Sequence, residues 1–516
     1  MTEWQKRLAT ISAVLAMVLG IIDSNIVAAA AWPIAKSLDP AHGLEYLPWL
    51  VAAYAIAATV TQPLYGKLYD LYGPKRIFLF SLALFLAGSA LCGAAQTMGQ
   101  LIFFRGVQGL GGGGLMSVTL VVVLSLWPPK EADSSGRGGS GGAGAGMGGV
   151  MTGIGIVVGP LLGGVITDNW SWRWIFFVNL PLGLVAWALC LWGLRLPKPT
   201  GTARIDFVGA GLISGATVAL LLVTQWGGRE FAWDSSEILA LLAAGAVLLI
   251  AFLIRQGLVR QGALGRLVAK EPIFPLTLFA NKVFRVASLQ QFISGMVTIG
   301  SVVYITIYLQ AVQHIPATQA GLHLLPMALG MTVAAIIAGR LVAQPGMFRN
   351  VMVAGMATVA LALGLMSLLK ADTSFWLINL YLLVLGAGLG QVLGLALLAV
   401  QKDAPAGQLG VSITSIRFSQ TLGGAVGSAV FGTILTRAYT SGLPPELAST
   451  GGEAGLNLSR MGALSEAARH QVVEALVGAI DTVFRVGLVV ALVAVVVTFF
   501  LPEPRRAVQP DRTAAV

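Results

Sequence analysis

A chain of 516 residues, 56% hydrophobic and only 10% charged, is not an ordinary soluble protein, in which about a quarter of residues carry charge. Lipid is its solvent. The net charge of +10, which in a soluble protein would point to nucleic acid, is here loop charge that orients the chain in a bilayer, with no nucleic-acid partner. Cys92 and Cys190 both sit in apolar runs, so no disulfide framework is expected.

A membrane span needs about 20 mostly apolar residues. Fourteen runs qualify: 8–34, 47–65, 77–96, 98–126, 146–167, 173–194, 206–226, 237–254, 286–311, 319–342, 350–369, 374–400, 408–436 and 482–501. Lys6 and Arg7 ahead of the first run mimic a secretory signal, but Asp23 interrupts it and many spans follow, so the first span is uncleaved. With both termini cytoplasmic, 22 of the 32 Lys and Arg fall in inner segments and 8 in outer ones, while Arg105 and Arg417 lie inside spans. That asymmetry supports fourteen spans with both ends inside. The expected fold is therefore all-α and membrane-integral. It comprises a six-helix bundle over 1–200, a two-helix insert over 201–270, and a second six-helix bundle over 271–516 with a long outer loop at 437–481.

Two segments stand apart from the spans. Lys130 to Gly146 is rich in glycine and serine and reads as a flexible inner loop. Leu464 to Ile480 is amphipathic and reads either as a helix lying on the membrane surface or as a solvated linker. The two groups of six echo one another: Gly66-Lys67-Leu68 with Gly73 and Arg76 recurs as Gly339-Arg340-Leu341 with Gly346 and Arg349. Such parallel repeats mark two-bundle transporters with a site near the midplane between the bundles.

Five stretches carry candidate chemistry. The first span reads IIDSNIVAAAAWP, and Asp23 is the one acid deep within any of the fourteen runs. GKLYDLYGPKR, Gly66 to Arg76, closes an inner loop; Asp70 there reads either as a cap or charge match for a helix N-terminus in the other bundle or as part of an ordinary tight basic turn that only orients the helices. In LIFFRGVQGLGGGG, Leu101 to Gly114, Arg105, Gln108 and Gly112 share one helix face. An arginine inside a span must face the bundle interior and have a partner, and Asp23 is the natural one. Gly146, Gly155, Gly159, Pro160, Gly163 and Gly164 follow the pattern G-x8-G-x3-G-P-x2-G-G, a stripe against which another backbone packs closely and at which the proline lets the helix bend. In IRFSQTLGGAVG, Arg417, Gln420 and Gly424 repeat the spacing seen at Arg105; Arg417 reads as a contact for a polar or anionic part of a substrate or for a lipid headgroup.

Together these motifs resemble the major facilitator superfamily, and within it the 14-span drug:proton antiporters. The match is to the first-span motif (with Asn25 where threonine is usual), the inner-loop motif (with Leu71 and Pro74 where basic residues are usual), the fourth-span R-x-x-Q-G motif and the fifth-span antiporter motif. Trp172 to Phe176 with Pro181, and Asp206 to Gly209, also fit. The resemblance implies two six-helix bundles plus two extra helices. Asp23 would take up and release the coupling proton with Arg105 tuning it, and Asp70, Gly66, Gly73, Gly155, Gly159, Pro160, Gly163 and Gly164 would serve gating. Asn25, Gln108, Tyr304, Tyr308, Gln310, Gln391, Arg417 and Gln420 are the candidate cavity residues. His323, alone near an outer end, reads first as a hydrogen-bonded interface residue and second as a coupling group.

The expected function is proton-coupled export of small amphipathic compounds, drugs or toxic metabolites, from the bacterial cytoplasmic membrane. Export of one endogenous metabolite, such as an antibiotic or siderophore, and proton-coupled import are the alternatives. The partners are then substrate, protons and bilayer, the protein acting as a monomer or with a periplasmic adaptor. No cofactor or metal is expected. H-E-x-x-H, G-x-S-x-G and paired intramembrane aspartates are missing, which argues against an intramembrane enzyme.

Overall fold

The computed structural model describes residues 1–39, 46–126, 159, 162–167, 169–196, 206–228, 230–260, 275–342, 344, 346–405, 407–443 and 466–502. Among these the ordered elements are helices, and thirteen are long and apolar enough to cross a membrane. Their main helices are α1 (Glu3–Leu38), α2 (Leu47–Tyr72), α3 (Pro74–Ala94), α4 (Met98–Leu126), α5 (Asn179–Gly193, within a span that starts at Trp174), α6 (Phe207–Trp226), α7 (Ser236–Arg260), α8 (Lys282–Ile307), α9 (Leu325–Leu341, within a span that starts at Gln319), α10 (Phe348–Met366), α11 (Phe375–Asp403), α12 (Leu409–Gly442) and α13 (Glu466–Phe499). A one-turn helix at Trp174–Phe177 precedes α5, another at Ala317–Leu322 precedes α9, and a π-turn at Tyr308–Val312 extends α8. Most of the expected fifth span, 146–167, lies outside the described residues.

In lipid, burial of apolar area no longer drives helices together, and close packing of small residues takes over. On α4 the run Gly111 to Gly114 does this on two flanks. A Cβ at Gly111 would strike the backbone of Phe85 on α3, and one at Gly113 the carbonyl of Ala58 on α2. The second group repeats the device, with Gly386 and Gly390 of α11 seated on the carbonyls of Met327 and Met331 in the α9 helix. The loops echo each other as well: Gly73, at φ 86°, turns α2 into α3, and Gly346, at φ 76°, stands at the matching bend before α10. Only glycine takes this conformation without strain.

The insert α6–α7 packs against itself and touches both α2 and α12, so it lies along the seam between the groups. Asp206 holds its two helices together. Its carboxylate caps α6 through the Gly209 amide (2.9 Å) and accepts from the Arg255 guanidinium, Nη2 reaching Oδ1 at 2.7 Å and Nε shared between Oδ1 at 2.9 Å and Oδ2 at 3.0 Å. Burial by itself pushes this carboxyl up. The Arg255 bonds and the Gly209 amide outweigh it and hold the carboxyl below its ordinary 3.8. A depressed folded value means the stabilisation is present above the unfolded value and is lost as pH falls through the folded one. The gap in melting temperature between the native chain and Asp206→Asn is therefore expected to be constant from pH 8 to about 5 and to close below pH 3.8, as scanning fluorimetry across that range would show.

The outer loop expected at 437–481 is corrected. α12 runs on to Gly442 and α13 begins at Glu466, so Leu464 to Ile480 neither lies on the membrane surface nor forms a solvated linker over its described part. Leu435, Tyr439 and Leu443 of one end pack with Val472, Leu476, Ala479 and Ile480 of the other in a single apolar cluster, which carries the helix outward. Asp481 consequently falls inside a membrane-crossing helix, and Asp23 is not the sole acid there; the Asp481 carboxylate faces Arg485 at 3.6 Å.

Candidate functional site: a buried ion-pair cluster and an inter-bundle latch

Asp23 of α1 is fully buried, and so is Arg105 of α4 at 1% exposure. The guanidinium meets the carboxylate at 2.6 Å through Nη1 to Oδ2. Around this pair the polar groups form a closed set. Gln108, one helical turn beyond Arg105, donates to Asp23 Oδ1 at 2.8 Å and accepts from Arg105 at 2.9 Å. Asn179, first residue of α5, donates to the same Oδ1 at 2.9 Å and to Ser89 Oγ at 3.0 Å. Ser89 in turn donates to the Phe176 carbonyl.

Arg105 keeps further acceptors. Its Nε donates to the Leu50 carbonyl of α2 at 3.2 Å, and its guanidinium carbon stands 4.3 Å from the centre of the Tyr54 ring. Unpaired charges are costly in a bilayer, and here the two offset each other while all but one of the surrounding groups are satisfied. The exception is the buried Tyr54 hydroxyl, which has no hydrogen-bond partner among the described residues. Five helices, α1 to α5, and the turn before α5 thus supply the cluster, with α4 and α5 bonding the carboxylate itself. Asn179, Ser89 and Tyr54 were not legible as part of it. Asn179 gave one signal, a lone amide in the apolar string IFFVNLP, which lipid forces to find a partner.

At the opposite end of α2 stands the second feature. Asp70 accepts from the backbone amides of Gly410 at 2.8 Å and Val411 at 2.9 Å, the first turn of α12 in the other group. The N-cap residue of α12, Gln408, makes no capping bond of its own, so a carboxylate from across the seam fills that place. A helix N-terminus favours such a carboxylate by its exposed amides and dipole. Gly66 permits the approach, for a Cβ there would collide with the Thr414 hydroxyl and stand 2.9 Å from Gly410 O and Val411 Cα. Two more bonds tie the groups on this side: Gln62 to Thr421 at 3.3 Å and Gln401 to the Leu124 carbonyl at 2.8 Å. For Asp70→Asn, one of the two charge-assisted bonds is lost. A weakening of about 1 kcal/mol is expected to shift the bundles roughly fivefold away from the arrangement in which α2 and α12 touch, read as a wider distance between spin labels on the latched ends of α2 and α12.

The remaining predicted residues fall in several places. Gly73 joins α2 to α3. Gly159 and Gly163 are buried, and nothing stands within 4 Å of where a Gly164 Cβ would be; Gly155, Pro160 and the Asn25 side chain lie outside the described residues. Arg417 donates to Gln420 at 2.7 Å. Tyr304 packs edge-on to Phe431, and the Tyr308 hydroxyl donates to the Lys370 carbonyl. Gln310 is half-buried in the π-turn, and Gln391 donates to the carbonyl of Ala387 one turn earlier. His323 bonds Asn379 at 2.9 Å and stacks on Phe375.

Two groups of membrane-crossing helices, latched at one end and carrying a buried carboxylate toward the other, define a membrane carrier. The family model for the Major Facilitator Superfamily matches residues 13–428. Multidrug resistance protein 3 of Bacillus subtilis (strain 168) is 32% identical over 521 residues, covering 98% of this chain and 97% of that protein. Multidrug transporter protein MdtP of the same organism is 32% identical over 423 residues, 82% of this chain and 74% of its own. Among solved structures, the human organic anion transporter MFSD10 (TETRAN) superposes with a TM-score of 0.61 at 14% identity, over 97% of this chain and 100% of that one, a likeness of fold. The chain belongs to the major facilitator superfamily and is a multi-pass membrane transporter of small substrates.

Proposed function

We propose that this protein is a proton-coupled exporter of small amphipathic compounds, drugs or toxic metabolites, in a bacterial cytoplasmic membrane. The observation that carries the reading is the Asp23 cluster: a fully buried carboxylate paired with one arginine and touched by two amides. A proton arriving at Asp23 removes the negative charge. Arg105 is then left with the Leu50 carbonyl, Gln108 Oε1 and the Tyr54 ring, so neutralisation does not orphan the cation. That property separates a switchable pair from one that breaks only at the 3–5 kcal/mol cost of an uncompensated buried charge.

With Asp70 seated on α12 the cytoplasmic side is held shut. Its release lets the bundles rock and present the path between them to the inside, while inward proton movement supplies about 2.3 kcal/mol per 100 mV for each charge. The names of the two Bacillus relatives support a broad substrate range. The test is uptake by inverted vesicles of a fluorescent lipophilic cation, with neutral and anionic amphiphiles alongside. Uptake that requires the gradient and stops with an uncoupler supports the reading. Uptake indifferent to the gradient for the whole panel sinks it.

A further inference from the structure

At the end of the molecule opposite the Asp70 latch, α2, α6 and α7 meet around a cavity of about 630 Å³ lined chiefly by Tyr46, Trp49, Trp226, Phe231, Glu230 and Glu237. The sequence builds it with a tight turn. α6 ends at Trp226, and Gly228, at φ 74°, reverses the chain and donates to the Phe231 carbonyl at 2.8 Å. The amides of Glu230 and Phe231 both return to the Trp226 carbonyl, at 3.0 and 3.2 Å. That turn brings Phe231 edge-on to Trp226 with centroids 5.8 Å apart, and Trp49 of α2 approaches Trp226 likewise at 5.7 Å. Glu237 stands in the first turn of α7, where the Ser236 hydroxyl donates to its carboxylate.

Trp and Tyr at a membrane interface are by themselves an aromatic belt. A belt does not explain two carboxylates sharing one cavity with the rings, nor a turn that folds Phe231 back onto Trp226. Aromatic faces carry negative potential and attract cations, and carboxylates nearby reinforce them. The volume falls within the ~300–1,000 Å³ range of small-molecule sites.

We propose that this cavity is an outer binding site for an organic cation bearing apolar groups, of the quaternary ammonium or phosphonium class, separate from the Asp23 cluster. The insert α6–α7, which touches both bundles along the seam, supplies most of its walls. The remaining wall, Tyr46 and Trp49, stands at the start of α2. As a station on an export path it rests on the reading above; as a binding site it is measured at equilibrium, without transport.

The full chain in nanodiscs of phosphatidylethanolamine and phosphatidylglycerol is titrated with tetraphenylphosphonium, followed by tryptophan quenching and radioligand binding. Glu230→Gln/Glu237→Gln, checked for an unchanged melting temperature, is expected to bind at least tenfold more weakly. Asp23→Asn is expected to bind as the native chain does, and tetraphenylborate, the anion of the same shape, to show no saturable binding that the double variant alters. Equal binding by the native chain and the double variant overturns the site; so does loss of binding in Asp23→Asn, which would place the cation at the ion pair. Loss of native binding in phosphatidylcholine discs overturns the substrate assignment and gives the cavity to the choline headgroup. Failure of gradient-driven transport with these results intact removes the exporter reading and leaves the site.

Discussion

Asp23→Asn is expected to abolish uphill transport while leaving the protein folded. With the membrane potential clamped at zero, one proton exchanged down two pH units accumulates an uncharged substrate about 100-fold. In the variant that ratio is expected to fall to about 1, with exchange of substrate down its own gradient retained. The asparagine carbonyl still accepts from Gln108 and Asn179 in place of Oδ1, so the cluster keeps its shape. What disappears is the group that takes the proton. Arg105 loses its anion but keeps the Leu50 carbonyl and Gln108, so the melting temperature is expected to drop by only a few degrees. A variant that still accumulates substrate 100-fold would make the pair structural. Asp481, a carboxylate midway along the last membrane-crossing helix that faces Arg485, would then be the next candidate, ahead of His323, which is already occupied by Asn379 and Phe375.

Gly66→Val is expected to have the second largest effect, by a different route. A Cβ at this position meets Thr414 Oγ1, which can rotate away, and also Gly410 O and Val411 Cα at 2.9 Å, which belong to a helix backbone and cannot. Valine adds two methyl groups to that contact. Overpacking of this kind costs about 1–3 kcal/mol, and the cost falls only on the arrangement in which α2 and α12 touch. The variant is expected to express normally, to show a label distance across the inner ends several ångströms wider than the native chain, and to transport at least tenfold more slowly. An unchanged distance would mean that the Asp70–Gly66 contact does not hold the cytoplasmic side closed. Asp70→Asn should shift the same distance in the same direction by less, because it removes a bond rather than inserting an obstacle.

The sequence was most informative where lipid makes the rules strict. Apolar runs located the helices, and the cost of a charge in a bilayer linked Asp23 to Arg105 across 82 positions. The spacing Arg105-x-x-Gln108 put both side chains on one face, and both reach the carboxylate. Asn179 and Tyr54 escaped because a single amide or phenol in an apolar string announces that it has a partner but not which one. The ends of helices escaped for another reason. Arg437, Arg469 and Asp481 looked like loop residues by composition, yet α12 and α13 continue through them, since two helices packed side by side need only one apolar face each. The aromatic and acidic groups of the outer cavity are scattered over almost two hundred positions, and only the fold brings them together.

The latch has one further consequence, which concerns how such a protein changes over generations. The two hydrogen bonds that Asp70 accepts from α12 are donated by main-chain amides, and every residue but proline offers that donor at positions 410 and 411. The receiving side is therefore free to change identity so long as it stays small, and this half of the contact leaves no paired substitutions for a comparison of relatives to detect. For the same reason, a charge swap that reverses Asp70 has no opposite side chain at 410 or 411 to reverse with it. Restoring a lost latch would require a second carboxylate presented to the same two amides.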